Sequence, residues 1–174
     1  MKNRAIISTV FEPHDVYAAL ETERERRGIT WQQVMREINA PFAHTTSRPI
    51  SRSTVVGMRT KPVAEGDGTL QMLRWLRRSP ESFVRGGVAG IQLPVLQPHQ
   101  ILRFDTRKLH TALDERRRER GLTWEGVARD MGGPISASSL MHLSKGGRTG
   151  FPHVMWMVRW LDQPTTAFMR ATRI

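Results

Sequence analysis

Cysteine is absent from the 174 residues, and tyrosine occurs only once. The lack of thiols excludes disulfides, a thiolate nucleophile and cysteine-ligated zinc. Long hydrophobic runs are also missing. The most apolar stretch, residues 86–96, contains glycines, a glutamine and a proline, and it is far shorter than the ~20 residues of a membrane helix. The apolar run near the N-terminus is too brief for a signal peptide. We therefore expect a cytoplasmic, soluble protein with no membrane partner.

Motifs for catalysis are missing as well. The six histidines form no HExxH pair, and neither a GxSxG elbow nor a phosphate-binding P-loop occurs. The glycine pairs fall at expected helix ends or linkers rather than in a phosphate-binding loop. We predict that the protein is not an enzyme and has no cofactor, no metal and no evident small-molecule ligand.

Acidic side chains are outnumbered by basic ones, 16 to 27, which gives a formal net charge of +11. Both halves share the excess, with +5 in residues 1–87 and +6 in residues 88–174. A basic surface on each half favours a polyanionic partner, nucleic acid before acidic lipid.

An internal repeat organises the chain. Residues 16–38 align with residues 109–131 without a gap at a shift of 93, and the shift becomes 85 after eight extra residues in the first copy. Repeats of this kind define structural units. The alignment predicts domains at 11–86 and 104–171, joined by an extended, glycine- and proline-containing linker at 87–103.

Each copy is predicted to contain five helices and no strand. The first helix is expected at 14–27 or 106–120, because Gly28 and Gly121 supply left-handed stops. Threonine and serine then take the preferred N-cap positions of the second and third helices. Two more helices follow, and no segment shows convincing period-two alternation. The expected caps are Thr30, Ser51, Thr123 and Ser136.

Two long segments carry a family resemblance. RRGITWQQVMREI…PISRSTVVGM and RERGLTWEGVARDM…PISASSLMHL resemble the lambda-repressor-like helix-turn-helix family, also called the XRE family. MLRWLRRSPESFV and MVRWLDQPTTAFM are similar to its fourth and fifth helices. The resemblance implies an all-α protein of two tandem five-helix domains. It also implies a sequence-specific double-stranded-DNA-binding transcriptional regulator, by family type a repressor. The turn before the third helix is longer than usual, especially in the first copy, which leaves the tilt of that helix open.

The resemblance also implies which residues meet DNA. In this family the third helix enters the major groove and the start of the second helix meets the backbone. Arg52 is the sharpest candidate, since a guanidinium can hold two acceptors of guanine. The other expected base contacts are Ser51, Ser53, Val56, Arg59, Ser136, Ala137, Ser138, Ser139 and His142. The expected phosphate contacts are Gln32, Arg48, Lys61, Lys145 and Arg148.

Several alternatives stay open from the sequence. Both copies can read DNA in adjacent major grooves, or one copy can serve a homodimer or a regulatory protein partner. A protein-binding helix-turn-helix module, of the antiactivator or anti-sigma type, is the competing function, and Ala137 in place of a polar reader favours it for the second copy. The tryptophans at 31, 75, 124 and 160 are interpreted as packing residues. Trp156 has no aromatic counterpart in the first copy, so it is a candidate contact between the copies or between chains.

Overall fold

The computed structural model describes residues 11–61, 64–84 and 90–174, which are mostly helical. The helices of the first copy are α1 (Pro13–Arg27), α2 (Trp31–Ile38), α3 (Arg52–Gly57) and α4 (Gly66–Leu76). Those of the second copy are α5 (Thr106–Glu119), α6 (Trp124–Met131), α7 (Ala137–His142) and α8 (Phe151–Leu161). Among the described residues, no helix combines the length and apolar character needed to cross a membrane.

The helix boundaries follow from the residues that cap them. Gly28 adopts φ 63° and ends α1, and the Thr30 hydroxyl accepts a hydrogen bond from the Gln33 amide at 3.2 Å. The Gln33 side-chain oxygen accepts a hydrogen bond from the Thr30 amide at 2.9 Å, which completes a capping box. In the second copy, the Thr123 hydroxyl accepts from the Gly126 amide at 3.0 Å, and glycine has no side chain to complete the box. The predicted starts of the second helices are therefore confirmed.

Two short strands correct the expectation of an all-α fold. β1 (Gln100–Phe104) pairs with β2 (Met169–Arg173) in an antiparallel two-stranded sheet. The strand β1 escaped prediction because Ile101 and Leu102 are both buried, although they point to opposite faces of the strand. Burial on both faces removes the alternation that reveals a strand. The end of the segment assigned to the linker is thus part of the folded core.

The predicted fifth helices are single 3₁₀ turns instead. They span Pro80–Phe83 and Thr165–Phe168. The second turn cannot extend into a helix because the chain becomes extended at Met169, which pairs with Phe104 in the sheet. The carbonyl of Phe168 also accepts a hydrogen bond from the Asp105 amide at 2.7 Å. Sheet pairing therefore takes the place of the helical hydrogen bonds.

The two copies pack directly against each other and share one hydrophobic core. The Phe151 ring lies 4.5 Å from that of Phe11 and 5.4 Å from that of Phe104, measured between centroids. Phe11 and Phe104 are equivalent positions in the repeat, just before the first helix of each copy. One ring of α8 therefore contacts the same position in both copies. Direct packing, rather than the reach of the linker, fixes the separation of the copies.

The contact between the copies has an approximate two-fold symmetry. The Gly66 amide donates to the Thr149 carbonyl at 3.1 Å, and the Phe151 amide donates to the Ala64 carbonyl at 2.8 Å. The shift of 85 converts each of these bonds into the other. Glu65 and Gly150, themselves equivalent positions, form the antiparallel bridge between them. This exchange of equivalent positions is the pattern of an isologous dimer interface, here within one chain.

Candidate nucleic-acid interface

The third helix of each copy begins at a serine cap. The Ser51 hydroxyl accepts from the Thr54 amide at 3.2 Å, and the Ser136 hydroxyl accepts from the Ser139 amide at 3.1 Å. Each serine hydroxyl also lies within hydrogen-bond distance of a neighbouring hydroxyl. Ser51 contacts those of Ser53 at 2.8 Å and Thr54 at 2.9 Å, and Ser136 contacts that of Ser139 at 3.0 Å. The two serines hold the start of their helices as well as being candidate DNA contacts.

Each third helix buries one face and exposes the other. Val55 and Leu140 are fully buried at equivalent positions and anchor α3 and α7 to the core. Ala137 is half-buried at the start of α7. The exposed predicted residues of α3 and its cap are Ser51, Arg52, Ser53 and Val56, with Arg59 just beyond the helix. Those of α7 and its cap are Ser136, Ser138, Ser139 and His142.

The predicted readers Arg59 and His142 also have intramolecular partners. The guanidinium of Arg59 lies over the Tyr17 ring at 5.6 Å, measured to the ring centroid, which restrains the arginine beside α1. A ring nitrogen of His142 lies 2.9 Å from the Ser138 carbonyl one turn earlier. Arg59 therefore has a defined orientation, whereas His142 must give up this contact to use that nitrogen for a base.

The long turn of the first copy is closed at its base by Asn39. Its side-chain amide donates to the Ile50 carbonyl, and its side-chain oxygen accepts from the Ile50 amide, both at 2.8 Å. The inserted residues, including the 3₁₀ turn Ala40–Phe42, lie between these two anchors. A paired amide of this kind fixes the entry to α3 despite the insertion.

Arg148 lines a groove at each of the two third helices. It lines one groove with Arg48, Ser51 and Thr54 at the start of α3. It also lines a second groove with Ser138 and other α7 residues, together with Lys145. Because one exposed arginine belongs to both grooves, α3 and α7 open toward the same region of the surface. The structure thus brings Arg48, Lys145 and Arg148 together with the starts of both helices.

The remaining phosphate candidates lie farther out. Gln32 is exposed in the first turn of α2, where it was expected to meet the DNA backbone. Lys61 is exposed beyond α3, and its aliphatic stem passes 3.5 Å from the position that a Gly57 Cβ would take. Neither residue lines the grooves around Arg148.

Two candidate contacts, Met141 and Arg103, were not predicted from the sequence. Met141 is 43% exposed on α7, and the equivalent residue of α3, the predicted reader Val56, is 39% exposed. The shift of 85 would have identified Met141 from Val56. Exposed apolar groups on a groove-reading helix suit the methyl group of thymine. Arg103 of β1 lines the groove beside Arg48 and Arg148, and it was missed because residues 87–103 were assigned to a linker.

Ion pairs involve the arginines at the ends of the first helices. Asp114 binds Arg118 at 2.7 Å on α5. Glu23 binds Arg26 at 2.7 Å on α1. Arg27 reaches Glu37 on α2, also at 2.7 Å. Such contacts between exposed side chains contribute little free energy individually.

Trp156 packs against Gly133 of its own copy, and the suggested contact between copies or between chains stays a prediction. Its ring atoms lie 2.6 to 2.9 Å from the position that a Cβ at Gly133 would take. Only glycine therefore fits beneath the indole. The residue equivalent to Trp156 in the first copy is Gln71, which lines the groove beside Arg48.

No family model, curated protein or solved structure matches the chain. Within the described residues, no group of three or more histidine, aspartate or glutamate side chains could hold a metal ion.

Proposed function

We propose that the chain is a sequence-specific double-stranded-DNA-binding transcriptional regulator, acting as a repressor. Each copy would be a lambda-repressor-like helix-turn-helix domain, with α3 and α7 as the helices that read adjacent major grooves. The observation that carries the proposal is the position of Arg148, which lines a groove with the start of each helix. Two exposed helices that open toward one cationic region suit binding along one face of a duplex.

The symmetry between the copies supports a particular operator. The reciprocal bonds that join Gly66 to Thr149 and Phe151 to Ala64 relate the copies by a two-fold rotation rather than a translation. Two-fold related domains match inverted half-sites, about one helical turn apart. The reading residues differ, with Arg52 in α3 at the position of Ala137 in α7. We therefore expect an imperfect palindrome, with a guanine contact specific to one half.

Charge supports the same partner. The net charge is +11, and exposed cations at Arg48, Lys145 and Arg148 surround the helix starts. Each lysine or arginine that neutralises a phosphate releases counterions and adds affinity at low salt. The backbone contacts would fix the register, while the exposed faces of α3 and α7 would supply specificity.

The test is selection from a random-sequence duplex library, followed by sequencing. Wild-type protein is compared with Arg52→Ala. The matched control is Arg118→Ala, which removes the same charge from an exposed arginine of α5 paired with Asp114. Two inverted half-sites for wild type, with preference lost in one half for Arg52→Ala alone, are expected. A motif that the control alters as strongly would contradict base reading by Arg52, and no enrichment at low salt would sink the proposal.

One observation favours a second function, binding to a protein partner. Val56 and Met141 are exposed apolar residues at equivalent positions of the two third helices, and Ala137 is also on α7. Exposed apolar side chains are common at the centre of protein interfaces. If selection yields a single short motif, one copy is left for protein contacts, and loss of that motif in Arg52→Ala identifies the first copy as the DNA reader.

A further inference from the structure

The two copies differ at one buried position, where the first copy has Gln71 and the second has Trp156. In the second copy the Trp156 ring packs tightly over Gly133. The equivalent pair in the first copy is Gln71 and Arg48. Both line the groove at the start of α3, which forms an open cavity of about 550 Å³. That volume lies within the range of small-molecule sites. The repeat thus contains an indole in one copy and a ligand-sized space in the other.

Gln71, which lines this cavity, carries an unpaired hydrogen-bond acceptor. Gln71 is only 1% exposed, and its amide nitrogen donates to the carbonyls of Asp67 at 3.0 Å and Leu102 at 2.8 Å. These bonds fix which end of the amide is the oxygen. That oxygen has no hydrogen-bond partner among the described residues. A buried acceptor favours a ligand that brings an N–H or O–H group.

The cavity walls combine apolar surface with positive charge. Arg48, Arg103 and Arg148 reach it from three separate segments. Two acids are also present, but both already accept backbone hydrogen bonds. Glu65 caps α4 through the amides of Asp67 and Gly68, and Asp67 accepts from the Phe104 amide at 3.0 Å. The arginines are therefore better placed to bind an anion. The apolar lining residues are Phe42, Pro49, Ile50 and Ile101.

We propose that this cavity binds a small planar organic anion that carries a hydrogen-bond donor. The flat part would occupy the space that the indole of Trp156 fills in the second copy. The anionic group would pair with the arginines, and the donor would reach the Gln71 oxygen. Ser51 and Thr54 line the same cavity, so a ligand would contact the start of α3. If the proposed function holds, such a ligand competes with DNA phosphate for Arg48 and Arg148.

Indole-3-acetate is the probe, since it supplies a planar ring, an N–H donor and a carboxylate. Calorimetric titration of the full chain, without DNA, should give saturable binding. Indole, which lacks the anion, and acetate, which lacks the ring, should each bind at least about tenfold more weakly. The absence of saturable binding by indole-3-acetate, or equal binding of indole, would overturn the proposal.

Two variants locate the site. Gln71→Trp introduces the residue of the second copy and should abolish binding by filling the cavity. Arg148→Ala, an exposed change that leaves the core intact, should weaken binding by about tenfold or more, whereas Arg118→Ala should have no effect. If Gln71→Trp fails to fold, Arg148→Ala against Arg118→Ala still decides. Unchanged affinity in Arg148→Ala overturns the assignment.

A competition experiment separates this inference from the proposed function. Duplex DNA selected by the protein is titrated in the presence and absence of saturating indole-3-acetate. Weaker DNA binding with the probe supports regulation through α3. Binding of the probe with unchanged DNA affinity overturns the regulatory step and leaves the ligand site. If the protein without the probe binds no duplex DNA but still binds the probe, the proposed function is overturned and the ligand site remains.

Discussion

The indole N–H of Trp160 donates a hydrogen bond to the Asp130 carboxylate at 2.7 Å. Arg120 binds the same carboxylate and lies over the Trp160 ring. In the first copy, the indole N–H of Trp75 donates to the Glu37 carboxylate in the same way, also at 2.7 Å. The duplication therefore extends beyond the apolar pattern to a three-residue network that joins the first, second and fourth helices of each copy. Trp75 and Trp160 each pack against the core and also donate a hydrogen bond.

The first prediction concerns acid stability. The Trp160 and Arg120 hydrogen bonds lower the pKa of Asp130, and those from Arg27 and Trp75 lower the pKa of Glu37. A depressed folded-state pKa adds stability above the unfolded value, which is lost as the pH falls through the folded value. Glu37→Gln with Asp130→Asn should lower the thermal midpoint at pH 7, and the difference should shrink below about pH 4. A constant difference down to low pH would contradict the network.

The second prediction concerns the contact between copies. A Cβ at Gly66 would lie 2.9 Å from the Thr149 carbonyl oxygen and 3.1 Å from the Phe104 ring. Gly66→Ala should therefore cost about 1–3 kcal/mol of unfolding free energy, as for other overpacked sites. Gly147→Ala is the matched control, because nothing lies within 4 Å of its Cβ position. Urea denaturation should separate the two variants, and equal midpoints would show that the contact yields without cost.

The third prediction has the opposite pH sign. Burial raises the pKa of Asp67, so the folded state disfavours its ionised form. Stability from such a group is present below the unfolded pKa and is lost as the pH rises through the raised value. Asp67→Asn keeps an oxygen acceptor for the Phe104 amide and removes the charge. The variant should be more stable than wild type at pH 7, and lower stability in urea denaturation at pH 7 would refute this.

The fourth prediction tests a backbone contact rather than a base contact. Lys145 is exposed beside α7 and lines the groove with Arg148. Lys145→Ala should weaken binding to all duplex sequences alike and reduce the salt slope of the logarithm of affinity by about 1. Fluorescence anisotropy across a salt series measures both effects. Arg118→Ala should leave the slope unchanged, and a sequence-dependent loss for Lys145→Ala would make it a reader instead.

Much of the helical framework could be predicted because its signals are local. Thr30, Ser51, Thr123 and Ser136 cap helices where expected. The β1 strand and the end of the last 3₁₀ turn at Phe168 could not be predicted, because both depend on contacts between residues far apart in sequence. Residues 101–104 are extended because residues 169–172 pair with them. For the candidate site, the sequence predicted the third helices. It did not predict Arg103, because the position of that residue depends on the pairing of the strands.

The repeat, the starts of the second and third helices and the positive charge can be read from the amino acids alone, since each depends on residue type and on short-range spacing. The way in which the copies meet depends on contacts between residues far apart in the chain. The bonds between Gly66 and Thr149 and between Phe151 and Ala64 are made by backbone groups, which every residue carries. Backbone pairing leaves no signature in residue type. The position of Arg148 in the grooves at α3 and α7, and the cavity that Gln71 lines, follow from that pairing.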